Sequence, residues 1–333
     1  QAPECMYIWD DASGNGNSAV LFTASQSGCP SVSSNGVTLT NTYGYISTNN
    51  LLNSIVSVNK AITIIVKFYY TGSPGIIMGF SNNGIGSSPS SYTPLIYVGT
   101  NGYLYVGDYA SAFVQVSTPL SQGWHTLVFE EYYSNGTYYV SLWLDGSFIN
   151  TASTTNTPQL FSSGTTTYWT FNTGYANSWT NAPSSWSATN YTYAYIYVYN
   201  TALPSSTAQS ASSGSIPSGY VIAYTVNSWN SYNSTMCCPI SINPNQSGCN
   251  ASICLYSPSS SSPVASITVD PYKNSTVSGN SFTLSVSYTP SSSVTVNQVG
   301  LCYAGYLTYY ATISSVTLNA NTAYTIEFTL TVS

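Results

Sequence analysis

Four oxygen-bearing side chains crowd one turn-rich stretch near the start of the chain: Asp10, Asp11, Asn15 and Asn17. Carboxylate and amide oxygens so spaced suit a hard cation, and calcium is the cofactor they imply, with Asp108 as a more distant contributor. The same residue types also stabilise turns by bonding to their own backbone, so both readings stand at this point. Glu130 and Glu131 form the other carboxylate-rich spot. Neighbours on a strand point to opposite faces, so these two do not make the facing pair that glycoside hydrolysis needs. His125 is the only histidine, and any nucleophilic triad would have to use it. Nucleophilic catalysis is not expected of it, and the chain reads as non-catalytic.

Seven cysteines fall into two groups. Cys5 and Cys29 flank the opening strand and are expected to be bonded in an oxidising compartment. Cys237, Cys238, Cys249, Cys254 and Cys302 form the second group, whose pairing spacing alone does not give. A zinc site competes, but the vicinal Cys237-Cys238 pair lacks the usual ligand spacing. Six Asn-x-Ser/Thr acceptors, at Asn135, Asn190, Asn233, Asn245, Asn250 and Asn274, point to a secreted glycoprotein, and a chain opening at Gln1 fits removal of a signal peptide.

Tyr191, Tyr193, Tyr195, Tyr197 and Tyr199 alternate with Thr192, Ala194, Ile196 and Val198. On a regular strand this puts all five tyrosines on one face and the aliphatic residues in the core. A tyrosine face is a subunit contact, a stacking platform for sugar rings, or a charge-free outer surface.

The elements that must hold these residues are strands. Charged residues make up 4% of the chain, against about 25% in ordinary soluble proteins, while Tyr, Val, Thr and Ile, which suit a pleated sheet, are abundant. Arginine is absent and Lys60, Lys67 and Lys273 are the only lysines, which excludes a phosphate-neutralising surface and so nucleic acid. No apolar run reaches the 18 or so residues of a membrane span, so membrane insertion is not expected. The formal charge of −6 at neutral pH becomes about +4 in strong acid. Self-repulsion therefore stays small, and stability is expected to be nearly flat from about pH 2 to pH 7. Such a composition resembles that of surface and virion proteins of thermoacidophilic archaea.

Punctuated alternation runs through residues 1–205. Leu95-Ile-Tyr-Val and Tyr103-Leu-Tyr-Val flank Gly99-Thr-Asn-Gly102, a hairpin signal, and Asp145-Gly146 is a type I′ dipeptide. Several segments in order carry a family likeness: Trp9-Asp10-Asp11-Ala-Ser-Gly-Asn-Gly-Asn17, Gly44-Tyr45-Ile46, Gly123-Trp124-His125, Leu142-Trp143-Leu144-Asp145-Gly146, and the closing Ile196-Tyr-Val-Tyr-Asn-Thr-Ala-Leu-Pro204. Together they resemble laminin-G-like and concanavalin A-like jelly rolls. That resemblance implies a two-sheet sandwich, a calcium-binding rim and a structural histidine.

Residues 206–262 read as a Ser-, Asn- and Cys-rich glycosylated connector. Alternation returns from Val264, and 263–333 reads as a small immunoglobulin-like β domain whose last strand, Tyr324 to Val332, pairs within its own sandwich or with a neighbour. The fold class expected is thus all-β, a jelly roll followed by an immunoglobulin-like sandwich. The leading functional expectation is an extracellular structural subunit of a surface filament, pilus or virion, with self-assembly or other surface proteins as partners. The alternative is a glycan-binding adhesin that uses the jelly-roll rim.

Overall fold

The computed structural model describes residues 6–23, 30–47, 50–108, 112–164, 166–229, 251–269, 274–278, 281–303 and 306–331. β6 (Ala61–Tyr70) shows how the sequence makes the first unit. Its Ile62, Ile64, Val66 and Phe68 face the core, while Thr63, Ile65 and Lys67 face away. It lies in a sheet ordered β13 (Ser147–Thr154), β12 (Thr137–Leu144), β11 (Gly123–Ser134), β6, β15 (Thr192–Tyr199), β4 (Gly36–Thr38) and β3 (Ser31–Ser33), with β16 (Ile222–Thr225) also paired to β15.

The opposing sheet runs β1 (Met6–Trp9), β2 (Ala19–Thr23), β5 (Thr42–Ser47), β14 (Tyr168–Phe171), β7 (Gly75–Ser81), β8 (Tyr92–Val98), β9 (Leu104–Asp108) and β10 (Ala112–Gln115). All pairings are antiparallel, and Trp9, Trp169, Phe68, Leu127 and Val198 are among the side chains buried between the layers. At Gly44 of β5 a Cβ would stand 1.9 Å from the Val20 carbonyl oxygen, so only glycine lets β2 and β5 approach.

Two expectations change here. The chain is not strand throughout: α1 (Leu51–Asn59) buries Leu52, Ile55 and Val56, and α2 (Ser205–Ala211) buries Ala208 and Ala211 over Val128 and Trp143. The segment 206–262 is more than a connector. It supplies α2, then β16, then β17 (Ala251–Tyr256), an inner strand of the second unit.

That second unit is a seven-stranded sandwich. One sheet is ordered β18 (Ala265–Thr268), β17, β21 (Val294–Tyr303) and β22 (Tyr306–Leu318); the other is β19 (Ser275–Ser278), β20 (Ser281–Tyr288) and β23 (Tyr324–Thr331). Ile253, Leu255 and Leu301 pack against Leu284, Val286 and Phe328, and Val20, Tyr45 and Ile85 of the first unit join the same cluster. β23 pairs with β20 from Ser281↔Thr331 to Tyr288↔Tyr324, so the last strand stays within its own sandwich. Among the described residues the chain is all-β apart from two short helices and two 3₁₀ turns.

Candidate functional site

The first predicted site serves as a clasp. Asp11 Oδ1 accepts from the backbone N–H of Ser13 (2.9 Å) and of Ala223 (3.0 Å), and its Oδ2 accepts from Asn17 N–H (3.0 Å). Asn15 Nδ2 donates to the Val221 carbonyl (2.8 Å), and the Tyr224 hydroxyl donates to the Asn17 carbonyl. Asp11 thus ties β16 to the opening turn through backbone amides, the turn-stabilising use of an Asx side chain. Among the described residues there is no group of three or more His, Cys, Asp and Glu side chains placed to share a metal ion.

The tyrosine row does not form one face. Thr192 and Tyr193 lie opposite Tyr69 and Phe68, but the next partner of Lys67 is Tyr195, so Ala194 is an extra residue in β15. This bulge reverses the alternation. Tyr191 and Tyr193 enter the core with Ile196 and Val198, whereas Tyr195, Tyr197 and Tyr199 lie on the outer face under the α2 segment, where the Tyr199 hydroxyl donates to the Pro217 carbonyl (2.6 Å). In the core the Tyr193 hydroxyl donates to Asn172 Oδ1 (2.8 Å).

Of the other predicted residues, Cys254 is bonded to Cys302, joining neighbouring strands β17 and β21. Cys5, Cys29, Cys237, Cys238, Cys249, Asn233, Asn245 and Asn250 lie outside the described residues. Asn135 is exposed at the β11–β12 turn, where it and Gly136 have φ of 50° and 83°. Asn190 is exposed, with its Oδ1 accepting from Asn41 N–H, and Asn274 is half-buried. His125 is held on both sides of its ring: its Nδ1 meets Asp145 Oδ2 at 2.6 Å, and its Nε2 meets the Ser121 carbonyl at 2.6 Å, with the Ser121 hydroxyl 3.5 Å away.

A cleft of about 530 Å³ opens beside the tip of the β11–β12 hairpin. One wall is Asn53, Val56 and Ser57 of α1, with Lys60 just beyond it; the second is Tyr133 and Tyr138 of the β11–β12 hairpin; the third is Leu160, Phe161 and Ser163, at and after a 3₁₀ turn (Gln159–Phe161). Tyr133 and Tyr138 have ring centroids 4.9 Å apart, and Tyr138 meets Phe161 edge-on at 4.9 Å. Lys60 Nζ lies 4.9 Å from the Tyr133 ring centroid. Lys60 itself adopts φ 52°, a left-handed conformation that a non-glycine residue holds at a cost, and its carbonyl accepts from Tyr133 N–H (3.0 Å). Asn53 Nδ2 bonds the carbonyls of Leu160 (2.8 Å) and Ser162 (3.0 Å), tying the third wall to the first.

Behind the cleft lie carboxyls that the sequence reading set aside. Glu131 shares the inner face with Ile62 and Val140, its cross-strand partners, and meets Asp108, which comes from the other sheet. Both are buried. Glu130 and Glu131 do face opposite ways, but the partner of Glu131 lies across the core, where local spacing gives no signal. Burial, then the Asp108 charge and hydrogen bond, hold the Glu131 carboxyl well above the ordinary carboxylate range. Glu130, on the outer face with Thr63, is pushed up to about 7 by burial, partly offset by bonds from Leu203 and Thr63.

This architecture defines the class: a two-sheet jelly-roll β-sandwich carrying an aromatic cleft at its rim and followed by a smaller β-sandwich. No family model and no curated protein sequence matches the chain. Solved structures do. A leech intramolecular trans-sialidase in complex with 2,7-anhydro-Neu5Ac matches at 14% identity and TM-score 0.36, over 47% of this chain and 24% of that one. The CBM40 module of a Ruminococcus gnavus IT-sialidase, bound to α2,3-sialyllactose, matches at 10% identity and TM-score 0.34, over 48% of this chain and 85% of the module. A heptameric SAP-like pentraxin from Limulus polyphemus matches at 15% identity and TM-score 0.33, over 50% and 76%. The expectation of a non-catalytic chain is corrected by this comparison, because sialidases, which are enzymes, stand among the matched structures. The chain spans about a quarter of the leech enzyme, and the likeness brings no catalytic residue across.

Proposed function

We propose that the chain is a glycan-binding protein whose site is the cleft between α1, the β11–β12 hairpin and the 159–161 turn. The observation that carries this reading is the convergence of Tyr133, Tyr138 and Phe161 with one cation, Lys60, and the neutral polar side chains Asn53, Ser57 and Ser163. Sugar rings present apolar C–H faces rimmed by hydroxyls. Aromatic walls with a few hydrogen-bonding groups match both features. In the cleft, moreover, a lysine stands beside several rings within a concave space.

An array of immobilised glycans probed with the full chain tests this. The wild type should bind a defined glycan class, and Tyr138→Ala should weaken that binding roughly tenfold through loss of one stacking ring. Absence of binding by the wild type, or equal binding by a folded Tyr138→Ala protein, would overturn the reading.

A second reading, as a subunit of an extracellular assembly, is favoured by β22. This strand ends its sheet and exposes Tyr310, Ile313 and Val316, without the lysine or proline that usually blocks edge pairing. The Cys254–Cys302 bond supports an oxidising, extracellular setting. Sedimentation of wild type against Ile313→Lys tests the assembly reading, which predicts larger species for the wild type alone.

A further inference from the structure

Asp108 and Glu131 approach each other from opposite sheets directly behind the cleft, and this placement has a chemical consequence. Glu131 is fully buried and Asp108 is 1% exposed. Asp108 Oδ2 accepts from the Leu160 N–H (2.8 Å), and its Oδ1 lies 3.4 Å from the Thr93 hydroxyl. Among the described residues, no N–H or hydroxyl reaches either oxygen of Glu131. Two buried carboxylates in contact, one of them without any donor, do not both carry charge; a proton held between them supplies the missing donor.

Other charges do not replace that proton. On β11, Glu130 points to the opposite face. On β6 the inward neighbours of Glu131 are Ile62 and Ile64, and Lys67 lies outside over the Trp124 ring. Lys60, beyond α1, lies over Tyr133. β12 presents Val140 and Leu142 inward, with Tyr138 further out in the cleft wall; the described part of β10 and the 159–161 turn contain no ionisable side chain. β8 offers Thr93, while its Tyr97 stacks on Tyr105 of β9 on the outer side.

The pair is mechanically joined to the cleft at two points. Tyr133 follows Glu131 by two residues on the same strand face, and Leu160, whose amide rests on Asp108, is itself a wall residue. We propose that Asp108 and Glu131 form a proton-operated clamp between the two sheets, one that seats the 159–161 turn and keeps the cleft formed in acid, and that loosens this turn as the medium becomes alkaline. With the proton in place, the carboxyls bond each other and Leu160 is held. Once it is lost, two like charges face each other in the core, and the turn beside Asp108 gives way more readily than the strands do, because it is held by side-chain bonds from Asn53 and Gln159 rather than by a ladder. The glycan-binding reading supplies the purpose of the clamp, not its evidence.

Hydrogen exchange on the full chain tests it without any ligand. Protection of a peptide covering residues 155–164 is measured at pH 4, 6 and 8, with rates corrected for the intrinsic pH dependence of exchange. In the wild type it should fall by up to tenfold per pH unit once the pair ionises, and by roughly a hundredfold in all, while β7 stays protected. In Glu131→Gln the amide donates to Asp108 at every pH, so the same peptide should change less than about threefold. Equal protection of the wild type at pH 4 and pH 8, or an undiminished pH response in Glu131→Gln, would overturn the clamp. Asp108→Asn makes the same comparison if Glu131→Gln misfolds, and the wild-type profile decides by itself if both do. A blank glycan array would strike the binding reading and leave this profile standing.

Discussion

His125 holds the β12–β13 turn by its whole ring: Nδ1 lies 2.6 Å from Asp145 Oδ2, and Nε2 lies 2.6 Å from the Ser121 carbonyl. A carbonyl only accepts, and a carboxylate prefers a donor, so the geometry suits an imidazolium with both N–H groups engaged. Asp145, at φ 50°, opens the type I′ turn with Gly146, and its Oδ1 accepts from Thr126 N–H (2.8 Å). One histidine therefore aligns the turn with the strand behind it.

Stability should report this bond. Burial lowers the His125 pKa, but the Asp145 bond, the Ser121 carbonyl and the Asp145 charge outweigh it, so the folded value sits above the usual one. A raised pKa means that the contribution is complete below the unfolded value of about 6.5 and fades as pH rises through the folded value. His125→Ala should cost about 1–2 kcal/mol at pH 5, a modest figure because Asp145 is 44% exposed, and clearly less at pH 9. Urea titrations at both pH values check this; an equal loss at each would refute it.

Glu130 and Glu131 change the expected pH profile of the whole chain. Few titratable groups imply a flat profile, but two of the nine carboxyls are buried with raised pKa values. For Glu130 the stabilising effect of the retained proton is full below about 4.5 and lost as pH rises towards about 7. That displacement is worth on the order of 3 kcal/mol. The melting temperature should therefore rise on acidification from pH 7 to pH 4, and Glu130→Gln should flatten the rise. A wild-type curve that falls over this interval would contradict the assignment.

The bulge at Ala194 makes opposite predictions for two similar tyrosines. Tyr193→Phe removes one of two donors to Asn172 Oδ1 in the core, the Thr189 hydroxyl being the other, and should cost about 1 kcal/mol. Tyr195→Phe, on the partly exposed outer face, should stay within about 0.5 kcal/mol. Comparable losses at both positions in thermal melts would argue against the reversed alternation.

Reduction of the Cys254–Cys302 bond should act on the second sandwich. Cys254→Ala with Cys302→Ala is expected to lower its stability by about 2–4 kcal/mol and to leave the larger sandwich's own transition in place. Exchange protection in β20 and β21, compared with that in β6, reads the difference, and equal loss in both units would refute it.

Much of the architecture was legible because strand signals are local. The β8–β9 hairpin around Gly99-Gly102, the Asp145-Gly146 turn and the inward residues of β6 follow from period-two alternation and turn chemistry alone. The α1 helix was present in the sequence as apolar pairs one turn apart, Leu51-Leu52 and Ile55-Val56, and was masked by the surrounding β-rich composition. α2 gave less signal, since Ser, Ala and Gln suit a helix and a linker alike.

Sequence by itself determined the all-β class, the shortage of charge and the opposite facing of Glu130 and Glu131, since each depends on composition or on residues close along the chain. Tertiary structure decided the rest. The single extra residue at Ala194 becomes a bulge only through the register with β6, and it sends Tyr193 inward. Asp11 bonds the Ala223 amide more than two hundred residues away. Asp108 meets Glu131 only because two sheets close over one core, and the cleft gathers α1, a hairpin and a 3₁₀ turn that are distant along the chain. The physical reason is common to all of them: local periodicity says which way a side chain points, whereas the partner it meets there is set by which strands pair and how the layers pack.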